Sequence, residues 1–263
     1  MATLTGQTIA SSYEQLLSLP DGGGDGANLV AITDGDGVTT FCISMTDAST
    51  GKAILAVDGS HANGTEIQID NSATDGDAFL SFQLSGTSKF TMGVDDGDSD
   101  KFKIGTTAIG TGTMLTLDAN GAVTMPVQPA FLVNPASMQS NIAIDTNVTI
   151  VFGTERFDQG SDFASNTFTA PVTGKYSLNY NLYVLNIDSA ADYYSVELVT
   201  SNRTYTTIID PDFGQDATYW SLTNTVLADM DASDTAFLRI YQGGGTAQTD
   251  IGTVSHFSGH LAC

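Results

Sequence analysis

The chain has 263 residues, 41% of them hydrophobic and only 14% charged, with 30 acidic against 8 basic side chains and a formal net charge of −22. So anionic a surface repels a phosphate backbone and an anionic bilayer, which argues against nucleic-acid binding and membrane-surface binding. No window approaches the apolar length that spans a bilayer, so membrane insertion is not expected.

The acidity is spread rather than gathered into a tail: residues 1–126 hold 16 acids and 4 bases, and residues 127–263 hold 14 and 4. Its plain role is solubility and mutual repulsion between crowded copies. Gly, Thr, Ser, Asn and Asp carry the polar balance, a bias toward strands and turns. Cys42 and Cys263 stand far apart and make neither a disulfide framework nor a metal-type spacing. The first residues, MATLTGQTIASSYEQLLSL, lack a basic segment followed by an apolar run, so a protein made in a cytoplasm is expected.

In chain order, Ser11 and Glu14 form a capping box ahead of Leu16, Leu17 and Leu19, and Pro20 stops any helix. A short helix is therefore predicted over 12–19, too short to be stable unless docked. Asp21 to Gly26 (DGGGDG) reads as a linker, so residues 1–27 are an anchor segment. From 28 to 126, short strands alternate with Gly, Asp and Asn turns: LVAIT, VTTFCISM, AILAV, TEIQID, AFLSFQL, KFTMGV, KFKIG, MLTLD and AVTM. Asn120-Gly121 is a strong hairpin signal. Large core residues are sparse here, so one copy is expected to leave strand edges uncovered, as suits an elongated stalk of three chains. Pro126 and Pro129 mark a stiff joint. Beyond it, 129–263 carries about eight to ten strands, at Phe131–Val133, Val148–Phe152, Phe168, Tyr176–Leu182, Tyr194–Val199, Tyr205–Ile209, Trp220–Leu227, Ala236–Tyr241 and Val254–Leu261, the number a jelly roll requires.

Within 129–263, Phe152, Asp158, Phe163 and Phe168 lead into Phe-Thr-Ala-Pro-Val and then Gly174-x-Tyr176-x-Leu178-x-Tyr180, and Phe257-Ser258-Gly259 lies near the C-terminus. This pattern resembles the signature of the globular head shared by complement C1q and tumour-necrosis-factor-like proteins. The resemblance implies a trimeric jelly roll and says almost nothing of a ligand. Four residues separate Phe163 from Phe168, fewer than the family pattern usually has, so a shorter loop is expected there. The secretion signal and collagen stalk that accompany complement heads are not seen, which points away from complement itself. LLSLPDGGGDG, KFTMGVDDGDSDKFKIG and MLTLDANGAVTMP are similar to phrases of bacteriophage tail-fibre and related virion proteins, where they form attachment and shaft regions.

Asp95, Asp96, Asp98 and Asp100 place four carboxylates in six residues, which suits either a calcium loop or a solvated hairpin tip flanked by Lys101 and Lys103. No other cofactor is implied. His256 and His260 share one side of a predicted strand without a Cys or Glu at ligand spacing. No Gly-x-Ser-x-Gly elbow or phosphate-binding loop is present, and no carboxylate pair for glycan cleavage stands out, so an enzyme is not expected. Phe213 is the apolar exception in the loop Asp210–Asp216 and, with Tyr219 and Trp220, is a candidate contact for a sugar face or a protein partner.

Composition and resemblance together lead to an all-β homotrimer: a short N-terminal helix, a β-rich shaft and a C1q/TNF-like jelly-roll head. The likeness to virion proteins implies a phage tail fibre or spike, expected to be held to other virion proteins by its N-terminal segment and to touch a host glycan or protein. The alternatives are a capsid-decorating or head-fibre protein and, less favoured, a polysaccharide-degrading tailspike.

Overall fold

The computed structural model describes Gly64 and residues 66–263. The expected helix at 12–19, the linker, Cys42, His61 and the strands read before residue 64 lie outside the described residues. All seventeen strands among the described residues fall in one compact unit, Ile69–Cys263.

The first five strands form an antiparallel meander in sequence order: β1 (Ala78–Leu84), β2 (Thr87–Asp95), β3 (Lys101–Gly105), β4 (Thr113–Leu117) and β5 (Val123–Thr124). Register sorts its side chains by face. One cross-strand row reads Ala78, Val94, Phe102, Leu117, Val123, the next Leu80, Met92, Ile104, Leu115, and the last Phe82, Phe90. Every residue of these rows is apolar and none is buried. The opposite face carries Thr91, Gly93, Lys103 and Gly105, all buried. The β3–β4 loop lies against that polar face, Ser88 Oγ donating to the Thr107 carbonyl at 2.9 Å. A Cβ on Gly110 of the same loop would sit 2.9 Å from Asp95 Oδ2. One chain thus pairs these strands with one another, leaving the outer edges of β1 and β5 without a partner among the described residues and one apolar face open.

The alternation in Thr65–Asp70 was expected to give a strand, but residues 66–70 adopt no regular structure, with Ile67 65% and Ile69 44% exposed. Alternation supplies a face, but a strand also needs a neighbour's backbone, and nothing among the described residues pairs with this segment.

Residues 130–261 form a sandwich of β6 (Ala130–Asn134), β7 (Val148–Thr149), β8 (Thr154–Gln159), β9 (Phe163–Ala164), β10 (Thr167–Thr169), β11 (Gly174–Ile187), β12 (Ala191–Thr200), β13 (Thr204–Ile209), β14 (Ala217–Met230), β15 (Thr235–Gly244), β16 (Asp250–Ile251) and β17 (His256–Leu261). One sheet runs β14-β11-β17-β6-β8 with β16 on β11, and the other β13-β12-β15-β10-β9 with β7 on β15. The fold is an all-β jelly roll. Its core is built by strict alternation: Tyr176, Leu178, Tyr180, Leu182 and Val184 of β11 point inward, as do Val196 and Leu198 of β12 and Leu238 and Ile240 of β15. At one end Phe131 stacks on Phe163 and Phe168 with centroids 5.2 and 4.7 Å apart and meets Phe257 edge-on at 5.0 Å.

Strand limits differ from the pattern in instructive places. Val148–Phe152 yields only Val148–Thr149, and the last strand begins at His256 rather than Val254. β8 (TERFDQ) has no clean apolar alternation and exists because β6 offers it an edge. Between β5 and β6, Gln159 Nε2 donates to the carbonyls of Met125 (2.8 Å) and Gln128 (2.7 Å), and Gln128 Nε2 to that of Leu261 (3.1 Å), clamping the connection to β8 and β17.

Candidate interaction face of the head

The residues of the head signature build the sandwich rather than a pocket. Asp158 ends its strand by accepting from the amides of Asp162 and Phe163, each at 3.0 Å, and so turns the chain into β9. Burial first, and then the charge of Asp158, push the Asp162 carboxyl above its ordinary value. Tyr176 and Tyr180 are buried rings with satisfied hydroxyls, donating to the Val172 carbonyl and to Thr207 Oγ1, both at 2.7 Å. Phe152, Phe163, Phe168 and Phe257 form the aromatic end of the core. Gly174 and Gly259 are close approaches: a Cβ on Gly259 would lie 2.6 Å from Leu178 Cδ2 and 2.8 Å from Phe131 Cε1, and one on Gly174 2.5 Å from Leu261 Cδ1.

The three aromatic contact candidates do not form one cluster. Tyr219 and Trp220 are neighbours on β14 and point to opposite faces. Trp220 stacks on Phe213, centroids 5.0 Å apart, so the loop's apolar exception is met by the strand that follows it. Asp216 Oδ1 ties the same loop to the β11–β12 turn by accepting from the Ser189 amide and hydroxyl at 2.9 and 2.8 Å. Tyr219 lies on the outer face of the β14-β11-β17-β6-β8 sheet, stacked on Tyr183 at 5.8 Å.

That outer face has the character of a contact surface. Tyr219 and Leu227 are each 62% exposed and Phe157 is 51% exposed. Between them run Ser177, Asn179, Asn181, Thr223 and Thr225, uncharged and able to donate and accept. A shallow hollow of about 430 Å³ opens over Leu132, Phe157, His256, Ser258 and His260. The two histidines share the face that the strand period dictates. Uncharged amides, hydroxyls and isolated large apolar groups are the composition of a specific protein contact.

The acidic run is a hairpin tip between β2 and β3. Asp96–Asp98 make one 3-10 turn, and Ser99 and Asp100 take left-handed conformations with φ of 59° and 57°. Lys103 Nζ lies 2.7 Å from Asp95 Oδ2 and 2.6 Å from Asp98 Oδ2, and Lys101 Nζ 2.7 Å from Asp98 Oδ1. Hydrogen bonds from Lys101 and then Lys103 hold the Asp98 carboxyl down at about 2, and Asp95 and Asp98 raise the Lys103 ammonium in turn. Among the described residues Asp96 and Asp100 join no ion pair. Among the described residues no three His, Cys, Asp or Glu side chains converge as metal ligands. Asp95 and Asp98 are thus the carboxylates that the tip's own lysines engage.

One polar centre was not read from the sequence. Asp188, 2% exposed, closes the β11–β12 turn by accepting from the Ala190 amide at 2.8 Å. With Oδ2 it also gathers the β15–β16 loop, accepting from the Ala247 amide at 2.7 Å and from the Thr246 amide. Gly245, at φ +97°, makes this possible, since a Cβ there would sit 2.6 Å from the carboxylate. Burial alone would raise the Asp188 carboxyl, but the amides of Ala247, Ala190 and Thr246 more than offset it and hold it below its ordinary value. Asp188 and these partners are 58 and 59 residues apart, and only the run Gly243-Gly244-Gly245 hinted at a special backbone.

The family model for the C1q domain matches residues 130–262, half of the 263-residue chain. The chain belongs to the C1q-domain family. Among solved structures, the globular domain of zebrafish complement 1qA is similar at 16% identity with a TM-score of 0.38, over 52% of this chain and 98% of that one. Murine APRIL at pH 8.5 is similar at 10% identity with a TM-score of 0.37, over 51% and 98%. No curated protein matches the chain. The C1q domain begins at β6, directly after the Gln128 clamp, and the meander precedes it.

Proposed function

We propose that the protein is a non-enzymatic structural component of a bacteriophage virion, a homotrimeric fibre or spike whose C1q-domain head contacts the host surface. The observation that carries the reading is the outer face of the β14-β11-β17-β6-β8 sheet. Tyr219, Leu227 and Phe157 stand open there around an uncharged centre of Ser177, Asn179, Asn181, Thr223 and Thr225, with Lys175, Asp229 and Asp250 only at the ends of the face, in a chain whose net charge of −22 otherwise keeps copies apart. Members of this fold family commonly assemble as trimers, and three heads meeting through this face cover those groups. The phage assignment is supported by the likeness of the shaft phrases to tail-fibre proteins and by the order shaft, proline joint, head. Three heads per fibre and many fibres per particle make weak individual host contacts sufficient, by raising the effective concentration of the remaining heads. Phe213 and Trp220, stacked at the head's loop end, are the proposed host-contact aromatics.

Native mass spectrometry of the purified chain tests the assembly, with three copies expected and a well-folded single copy refuting it. Gold-labelled antibody on intact particles tests the location. Label at the tail tip is expected, whereas label over the head shell replaces host attachment with capsid decoration. Release of reducing sugar from host envelopes by the purified protein would overturn the non-enzymatic assignment.

A further inference from the structure

The meander Ala78–Thr124 lies before the C1q domain and is built inside out for a single chain. Over β2 and β3 its polar face is the covered one: Thr91 is 1% and Lys103 8% exposed, beneath the β3–β4 loop and the carboxylates of Asp95 and Asp98. Its other face, the three apolar rows, has no cover among the described residues, and Leu80, Phe82, Phe90 and Val123 are 47%, 52%, 49% and 55% exposed. A sheet with one wholly apolar face is stable in water when that face is packed against another layer.

We infer that this face is a second self-association surface, on which three copies of the meander pack apolar side inward around the same axis as the heads. The inference rests on the homotrimer proposed above. Three observations select other copies of this chain as the occupant. The face carries no charged residue, so chains of net charge −22 can meet there without like-charge contact. Five strands at about 4.8 Å spacing and roughly five residues at 3.3 Å give a footprint of roughly 300–400 Å² per copy. That is below the ~800 Å² per partner of a stable specific complex, so the meander associates only where another surface contributes. The connection supplies that surface: the Gln159 and Gln128 hydrogen bonds clamp the segment that follows the meander's last strand to β8 and β17, within the head sheet whose outer face is open. Exposed Met125 and Val127 lie along this connection.

The test uses the full chain in three forms: the wild type, Phe82→Thr/Phe90→Thr on the apolar face, and Phe79→Thr on the opposite face, where the side chain is 44% exposed against 52% and 49%. Thr retains strand propensity. Sedimentation gives the copy number and amide exchange the protection of β1–β3, with β11 protection reporting that the head is folded. A wild-type trimer with slow exchange in β1–β3 is expected. In the double variant exchange there should be at least tenfold faster while the heads remain associated, and Phe79→Thr should match the wild type. A trimer whose β1–β3 amides exchange equally in wild type and double variant overturns the inference and leaves the head reading standing. A single-copy wild type removes the homotrimer proposal and this inference with it. Benzoylphenylalanine in place of Phe82 gives a readout independent of variant folding. Photolysis should yield inter-chain products, and exclusively intra-chain products would assign the cover to residues 1–63 and overturn the inference.

Discussion

Asp188→Asn isolates the buried carboxylate that ties the β11–β12 turn to the β15–β16 loop. The side chain keeps its size, but one oxygen becomes an NH₂ facing backbone amides that are themselves donors. Hydrogen bonds to a charged group contribute about 1.5–3 kcal/mol each, and three are at stake. Relief of carboxylate burial and retention of one acceptor offset part of the loss, leaving an expected cost of about 2 kcal/mol at pH 7. With a urea m-value of about 2–3 kcal/mol/M, the unfolding midpoint should fall by roughly 1 M at fixed protomer concentration. The pH dependence follows from the direction of the shift. A carboxyl whose folded value is depressed contributes its stabilisation above the unfolded value, near 4, and loses it as pH falls through the lower folded value. The gap between wild type and Asp188→Asn should therefore narrow by pH 3. Coincident midpoints at pH 7, or a gap unchanged at pH 3, would refute this account.

Gly259→Ala forces a methyl group into Leu178 and Phe131 and should cost about 1–3 kcal/mol, seen calorimetrically as a fall of several degrees in Tm. Asp158→Ala leaves the amides of Asp162 and Phe163 without their acceptor and should lower stability by about 1–3 kcal/mol in urea titrations. Leu227→Ser/Tyr219→Ser should leave the far-ultraviolet circular dichroism of the dissociated chain unchanged, since both side chains are 62% exposed, while weakening association at least tenfold in sedimentation dilution series. At the acidic tip, Lys101→Met and Lys103→Met should each raise the carboxyl midpoint of Asp98 from about 2, in a carbon-detected NMR titration. Carboxyl signals of Asp95 and Asp98 that saturate with micromolar calcium would show that an ion displaces the lysines.

The head was legible because its signals are local and periodic. Tyr176, Leu178 and Tyr180 alternate at the strand period, Pro171 and Gly174 punctuate the approach, and such a pattern specifies a half-buried strand wherever it is placed. β8 was missed because a strand with a polar pattern is held by its neighbour's backbone, which sequence spacing does not encode. Phe213, Tyr219 and Trp220 were singled out together, yet adjacency on β14 sends Tyr219 and Trp220 to opposite faces. Which of the two faces is outer depends on register across the sheet.

Composition, alternation and turn chemistry determined by themselves a β-rich, strongly acidic chain with about eight to ten strands in its C-terminal half, and the signature residues supplied the likeness that implied a jelly roll. Each depends on residues within a few positions of one another. Tertiary structure alone decided that Asp188 serves a loop 58 residues away and that the meander buries part of its polar face while its apolar one stays open. Those outcomes are set by distances between segments remote in sequence, and such distances exist only once the strands have paired.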